Sequence, residues 1–143
     1  MLKFDNCLIE NGVFQLKADF QIMPLSSVAV IGPSGSGKST LLEAVAGFRS
    51  LSRGALLWKD QDLTSLHPGK RPIAMLFQDG NLFPHLTVFQ NVALGMQANK
   101  RLTNEEVSQV EMALVRVGLA DMGLRKPAEL SGGQRSRVAL ARV

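Results

Sequence analysis

The sequence predicts an α/β fold in which a β-rich first part carries a phosphate-binding loop and a helical second part follows. Three observations carry this. Residues 32–40 read GPSGSGKST and fit the pattern G-x-x-x-x-G-K-[ST]. Residues 13–22 alternate apolar and polar side chains with the period of a half-buried strand. From residue 79 onward strand-like runs stop, and apolar residues recur at helical spacing.

Each element follows in order. Residues 1–9 begin with Leu2 and Phe4 alternating with polar residues, a strand pattern. Asn11-Gly12 is a turn signal. Phe14, Leu16, Ala18, Phe20 and Ile22 then lie on one side of the next strand, so the two runs form an antiparallel hairpin. Residues 27–31, SVAVI, are expected to be a buried strand leading into the loop. Residues 39–48, STLLEAVAGF, place Leu41, Leu42, Val45 and Phe48 at helical spacing, with Gly47 near the end of the helix. Residues 55–58 form a short strand, and residues 60–69 a loop punctuated by Pro68-Gly69. Trp58 is expected to pack at a core or sheet edge. Residues 73–77, IAMLF, are expected to be a second buried strand, ending in Gln78. Thr87 caps a short helix carrying Val88, Phe89, Val92 and Leu94. Thr103 with Glu106 makes a capping box. Val107, Val110, Leu114 and Val117 then form an apolar stripe that Gly118 stops. Pro127 breaks the chain, and a last helix begins near Gln134.

The loop pattern has a chemical reason. Wrapping a triphosphate requires successive backbone N–H groups to point inward, with no side chain in between. Lys38 supplies a mobile positive charge for the outer phosphates. Ser39 offers a hydroxyl to Mg²⁺, and the helix that starts there directs its positive end at the anion. The phosphate-binding set is therefore Gly32, Pro33, Ser34, Gly35, Ser36, Gly37, Lys38, Ser39 and Thr40.

Composition narrows the class. At 143 residues this is one domain or a piece of one. No run approaches the roughly 20 apolar residues that span a bilayer, and residues 1–30 show no leader pattern. The lone Cys7 suits a reducing compartment. The net charge is only +4, from 16 basic and 12 acidic residues, and the basic residues are scattered. Arg135, Arg137 and Arg142 come nearest to a cluster, so no nucleic-acid partner is expected.

Residues 130–134 read LSGGQ, about 90 residues after the phosphate loop, with Gln78 between them. With these three features the chain resembles the ATP-binding subunits of ABC transporters over essentially its whole length. GPSGSGKST resembles that family's Walker A, Gln78 its Q-loop glutamine, and Leu130, Ser131, Gly132, Gly133 and Gln134 its signature. The resemblance implies a P-loop NTPase core with an N-terminal antiparallel β subdomain and an α-helical subdomain, incomplete at the C-terminus. Residues 1–78 would be the ATP-binding core, 79–130 the helical subdomain, and 131–143 the signature and the start of its helix. It implies ATP and Mg²⁺ as cofactors, with Ser39 and Gln78 serving the metal and Gln78 sensing the γ-phosphate. It also implies a head-to-tail homodimer in which the signature of one copy closes over ATP held by the other. Transmembrane permease subunits would dock at the region from Gln78 to Leu86, and a periplasmic solute-binding protein would act indirectly. The subunit would lie peripherally on the cytoplasmic face of the inner membrane, or stay soluble in the cytoplasm when unassembled. Residues 71–95, beginning RPIAMLFQDGNLF, are most similar to thiamine-import ATPases, while FPHLTV is shared with importers of iron, polyamines and sulfate.

The chain departs from that pattern in three places. Asn11 stands where the family usually carries an aromatic residue that stacks on adenine, with Phe14 as a possible substitute. Leu25-Ser26 replaces the usual Gly-acidic turn. No apolar run of four is followed by Asp-Glu, so a metal-binding carboxylate, a general base and a switch histidine are not found in these 143 residues. The expected activity is that of an ATPase subunit by family, with little or no turnover by this chain alone. The competing reading is a nucleotide-binding and dimerisation module that does not hydrolyse.

Overall fold

The computed structural model describes residues 1–77, 80–96 and 102–143, which fall into two compact units, 1–73 and 74–143. Gln78 lies outside the described residues.

The first unit is built on a four-stranded antiparallel sheet of β1 (Leu2–Asn11), β2 (Phe14–Ile22), β3 (Arg53–Trp58) and β4 (Gln61–Asp62), in the order β2-β1-β3-β4. The predicted hairpin is present. Leu2 pairs with Ile22 at one end and Asn11 with Phe14 at the other, leaving Gly12-Val13 as a two-residue turn. A bulge between Phe4 and Cys7 shifts the register, with Asn6 in the left-handed region at φ 48°. The Asn6 amide donates to Asp19 Oδ1 at 3.2 Å and so is paired despite the bulge. Phe4, Cys7, Ala18, Leu56 and Leu63 form the buried core. Phe4 and Phe20 stack with ring centroids 4.5 Å apart. Leu41 and Val45, from helix α1 (Lys38–Ala46), pack against this core, which seats the helix on the sheet. Trp58 packs there too, with Lys59 Nζ 5.7 Å from its ring.

Two expectations about strands are corrected. Residues 27–31 belong to no strand, and Val28, Val30 and Ile31 are 56%, 43% and 91% exposed. Residues 73–77 are likewise outside any strand, and Leu76 is half exposed. An apolar run becomes a strand only by pairing its backbone, and among the described residues the sheet ends at β2 and β4 without taking either run. Residues 60–69 are not wholly loop: Gln61 and Asp62 pair with Trp58 and Leu57.

Arg71 closes the other end of α1. Its Nη1 donates to the carbonyls of Ala44 (2.7 Å) and Val45 (2.8 Å), and its Nε to Leu66 O at 2.8 Å. A cation placed on the last carbonyls of a helix satisfies orphan acceptors and opposes the negative end of its dipole. Burial alone pulls the Arg71 pKa down.

The second unit contains α2 (Val88–Ala93), α3 (Asn104–Arg116) and α4 (Gly132–Arg142), which pack on one another around Val88, Val92, Val110, Leu114, Leu119, Leu130 and Val138. The capping box expected at Thr103 and Glu106 is formed, and the stripe through Val110 and Leu114 is buried. Thr87 with Gln90 and Ser131 with Gln134 make the same reciprocal box, so α4 begins at Gly132 rather than near Gln134. Asn91 is fully buried and serves as a hub. Its Oδ1 accepts from Phe83 N–H at 2.8 Å, and its Nδ2 donates to the carbonyls of Phe83 and Thr87. This holds the loop ahead of α2 closed.

Candidate functional site

Of the four α-helices described, α1 alone starts without a side-chain cap. Its N-cap is Gly37, at φ 91° and ψ 11°, whereas α2, α3 and α4 each open with a capping box. Only glycine takes that torsion without cost. The first bond of the helical ladder is Leu41 N–H to Gly37 O at 2.9 Å. The amides of Lys38, Ser39 and Thr40 therefore come before the ladder, at the positive end of the helix dipole. A helix start left uncapped in this way is suited to an anion.

A cleft of about 400 Å³ opens at this point, lined by Asn11 and Phe14 of the hairpin and by loop residues between Ser34 and Thr40. The hairpin turn thus brings its two flanking residues to the phosphate loop. Contact is close: a Cβ on Gly37 would lie 2.7 Å from Phe14 Cζ. Phe14 is half-buried and Asn11 exposed. The resemblance named both residues at the position that stacks on adenine, and the structure places both in one cleft with the loop.

Lys38 Nζ donates to the carbonyls of Gly32 (2.9 Å) and Pro33 (2.7 Å), so the ammonium bridges the start of the loop. Ser36 N–H donates to Pro33 O at 3.3 Å. Lys38 thus ties the start of the loop to α1 and itself lines the cleft. Ser39 lines the same cleft. Among the described residues no group of three or more His, Cys, Asp or Glu side chains is placed to hold a metal ion. A hydroxyl such as that of Ser39, together with phosphate oxygens, is the kind of ligand set that suits Mg²⁺, which usually keeps few protein ligands.

At the other motif, Ser131 Oγ accepts from Gln134 N–H at 3.3 Å, and Gln134 Oε1 accepts from Ser131 N–H at 2.8 Å. The Gln134 backbone amide and its Oε1 are engaged by this box. The Ser131 hydroxyl accepts and still has its proton to donate. Gly132 and Gly133 are exposed in the first turn of α4, and a Cβ on Gly133 would meet nothing within 4 Å. Leu130 is buried under the helix. Each of the three arginines bonds backbone carbonyls. Arg135 donates to Leu130 O, Arg137 to Val117 O, and Arg142 to Asn81 O and Gly80 O. In the loop 80–86, Phe83 is exposed, and its ring meets His85 edge-on at 6.0 Å.

A second cleft, of about 260 Å³, lies at the bulge beside Asn6 and Cys7. The Cys7 thiol is buried and donates to Ala55 O at 3.1 Å, and burial pushes its pKa up. A thiol held in this state is a poor nucleophile.

Comparison with known proteins agrees with this geometry. The ABC transporter family model matches residues 16–143. The chain is 59% identical, over its full length, to the thiamine import ATP-binding protein ThiQ of Ruegeria sp. (strain TM1040) and 51% identical to that of Cereibacter sphaeroides. It spans 62% of the length of each of these relatives. Among solved structures it is similar to a dimeric post-hydrolysis state of the ATP-binding cassette MJ0796 bound to ADP and Pi, with a TM-score of 0.82 at 28% identity. That match covers 99% of this chain and 68% of the other. It is also similar to the ABC transporter cassette MJ1267, with a TM-score of 0.86 at 26% identity, covering 99% of this chain and 63% of the other. With the family model matching nearly the whole chain, this protein belongs to the ABC transporter family.

Proposed function

We propose that this chain is the nucleotide-binding part of an importer's ATP-binding subunit, and that the solute imported is thiamine. The observation that carries the nucleotide reading is the uncapped start of α1, opening into a cleft that also holds Lys38 and Ser39. The reading of the solute is supported by relatives named as thiamine import proteins, up to 59% identical along the whole chain.

In this reading the phosphates of ATP lie on residues 32–40. Their negative charge meets the helix dipole and draws the Lys38 ammonium from the carbonyls of Gly32 and Pro33. Ser39 contributes an oxygen to Mg²⁺, which when bound neutralises phosphate charge, and Gln78 reports on the γ-phosphate. A second copy supplies Ser131, Gly132 and Gly133 from its own signature. The Ser131 hydroxyl, which accepts from Gln134 N–H, keeps its proton free to donate to an anion. Helix α4 adds its own positive end. Docking to permease subunits uses the loop through Phe83 and Leu86, and the subunit works at the cytoplasmic face of the inner membrane. Among the described residues no helix is long and apolar enough to cross a membrane.

Turnover by these 143 residues is a separate matter. No Asp or Glu lines the cleft among the described residues, so no carboxylate there takes a proton from attacking water. We read this chain as binding ATP and hydrolysing it slowly.

The solute is tested in cells. Disrupting the gene, or replacing it with the Lys38→Ala form, should abolish high-affinity thiamine uptake. Unchanged thiamine uptake accompanied by loss of iron, polyamine or sulfate uptake would replace thiamine with that solute.

A further inference from the structure

Arg142, in the last turn of α4, reaches back across 60 residues of sequence. Its Nη1 donates to Asn81 O at 2.9 Å and its Nη2 to Gly80 O at 3.0 Å. Neighbouring carbonyls point to opposite sides in extended backbone; here, where Gly80 and Asn81 take positive φ, 67° and 41°, one guanidinium reaches both. The planar guanidinium fork matches such a pair, and a lysine ammonium does not. The attachment is reinforced by packing. Gly80 is buried, and a Cβ there would lie 3.2 Å from Ala139 Cβ in the middle of α4. On the backbone side, Gly95 abuts the end of α4 so closely that a Cβ would fall within bonding distance of Arg142 O. The loop at 80–81 is thus fixed to α4 at two points, and the residue that makes the polar link is itself held in place.

We propose that Arg142 is a positioning residue that binds the loop at Gly80–Asn81 to the signature helix, so that loop and helix open and move as one body. The sequence places this loop two residues after Gln78 and places the signature at the other end of α4. Through Arg142, a displacement of the loop becomes a displacement of the helix that carries Ser131, Gly132 and Gly133. The link itself stands on the geometry. Its importance for ATP-driven work rests on the function proposed above.

Native-state hydrogen exchange of the 143-residue chain in rising urea tests the link. In the wild type, peptides covering 80–83 and 135–142 should share one opening transition and one urea dependence. In Arg142→Met, peptides at 80–83 should exchange roughly tenfold faster or more, the loss expected for charge-assisted hydrogen bonds. Residues 135–142 should keep the wild-type rate. Arg142→Lys, which offers a point donor to one carbonyl at a time, should fall between the two. Equal acceleration of both segments would reduce Arg142 to an ordinary stabilising contact and overturn the proposal. So would an unchanged rate at 80–83, or separate transitions in the wild type. If Arg142→Met does not fold, Arg142→Lys carries the same comparison, with the same results deciding. ATP binding measured on the same samples keeps the two claims apart. Its absence would sink the proposed function and leave the exchange result standing.

Discussion

Asn11 and Phe14 pair across the hairpin turn and both line the cleft beside the phosphate loop. One offers a carboxamide and the other an aromatic ring, and neither is a large exposed stacking platform. A base stacked on an aromatic side chain gains about 1–3 kcal/mol. Asn11→Tyr should therefore tighten ATP binding by roughly tenfold while leaving affinity for inorganic triphosphate unchanged, measurable by calorimetry with both ligands. Equal effects on both would show that residue 11 does not meet the base. Cys7 lends itself to a second test. Burial raises its pKa, so a thiol reagent should react with the native chain far more slowly than with the urea-unfolded chain. The sign is that of an acid whose folded pKa is raised. This contribution to stability is full below the unfolded thiol pKa of about 8.5 and declines as pH rises towards the folded value. Native-state labelling as fast as unfolded-state labelling would contradict the buried thiol.

At the scale of elements, helix starts were the most legible feature of the sequence. Thr103 and Glu106 announce their box in four residues, because capping is a local exchange of bonds. The phosphate loop is legible for the same reason. The two misread runs, 27–31 and 73–77, show the opposite case. Their composition suits a strand, but strand identity is decided by a partner that the run does not contain. Arg71 and Asn91 went unremarked, and Arg142 was read only as a surface charge, because each bonds backbone carbonyls and nothing in residue type marks which carbonyls. Two variants weigh such hubs. Asn91→Leu leaves the Phe83 amide without its buried acceptor and should cost about 3 kcal/mol in urea unfolding. Arg71→Met strips donors from Ala44 O, Val45 O and Leu66 O and should cost a similar amount, about 3 kcal/mol. A loss below about 1 kcal/mol in either would show that water replaces the side chain freely.

At the scale of the molecule, the two units carry different motifs. The first holds the phosphate loop and the second holds the signature at the start of α4. In the proposed function these two motifs serve different nucleotides, the chain's own and that of a second copy. With no Asp or Glu lining the cleft among the described residues, steady-state ATP turnover by the 143-residue chain should not exceed that of Lys38→Ala. The expected deficit is the 10²–10⁴-fold, in order of magnitude, that a missing general base costs. Turnover well above the Lys38→Ala level would show a base that the cleft does not reveal. The central claim, that the uncapped start of α1 is a nucleotide site, is tested most directly by titrating the chain with ATP and Mg²⁺ in a calorimeter, beside Lys38→Ala. Saturable one-site binding that weakens by about a hundredfold in the variant, as loss of a charge-assisted phosphate contact requires, is the predicted result. Equal binding by both proteins, or none by the wild type, would contradict it.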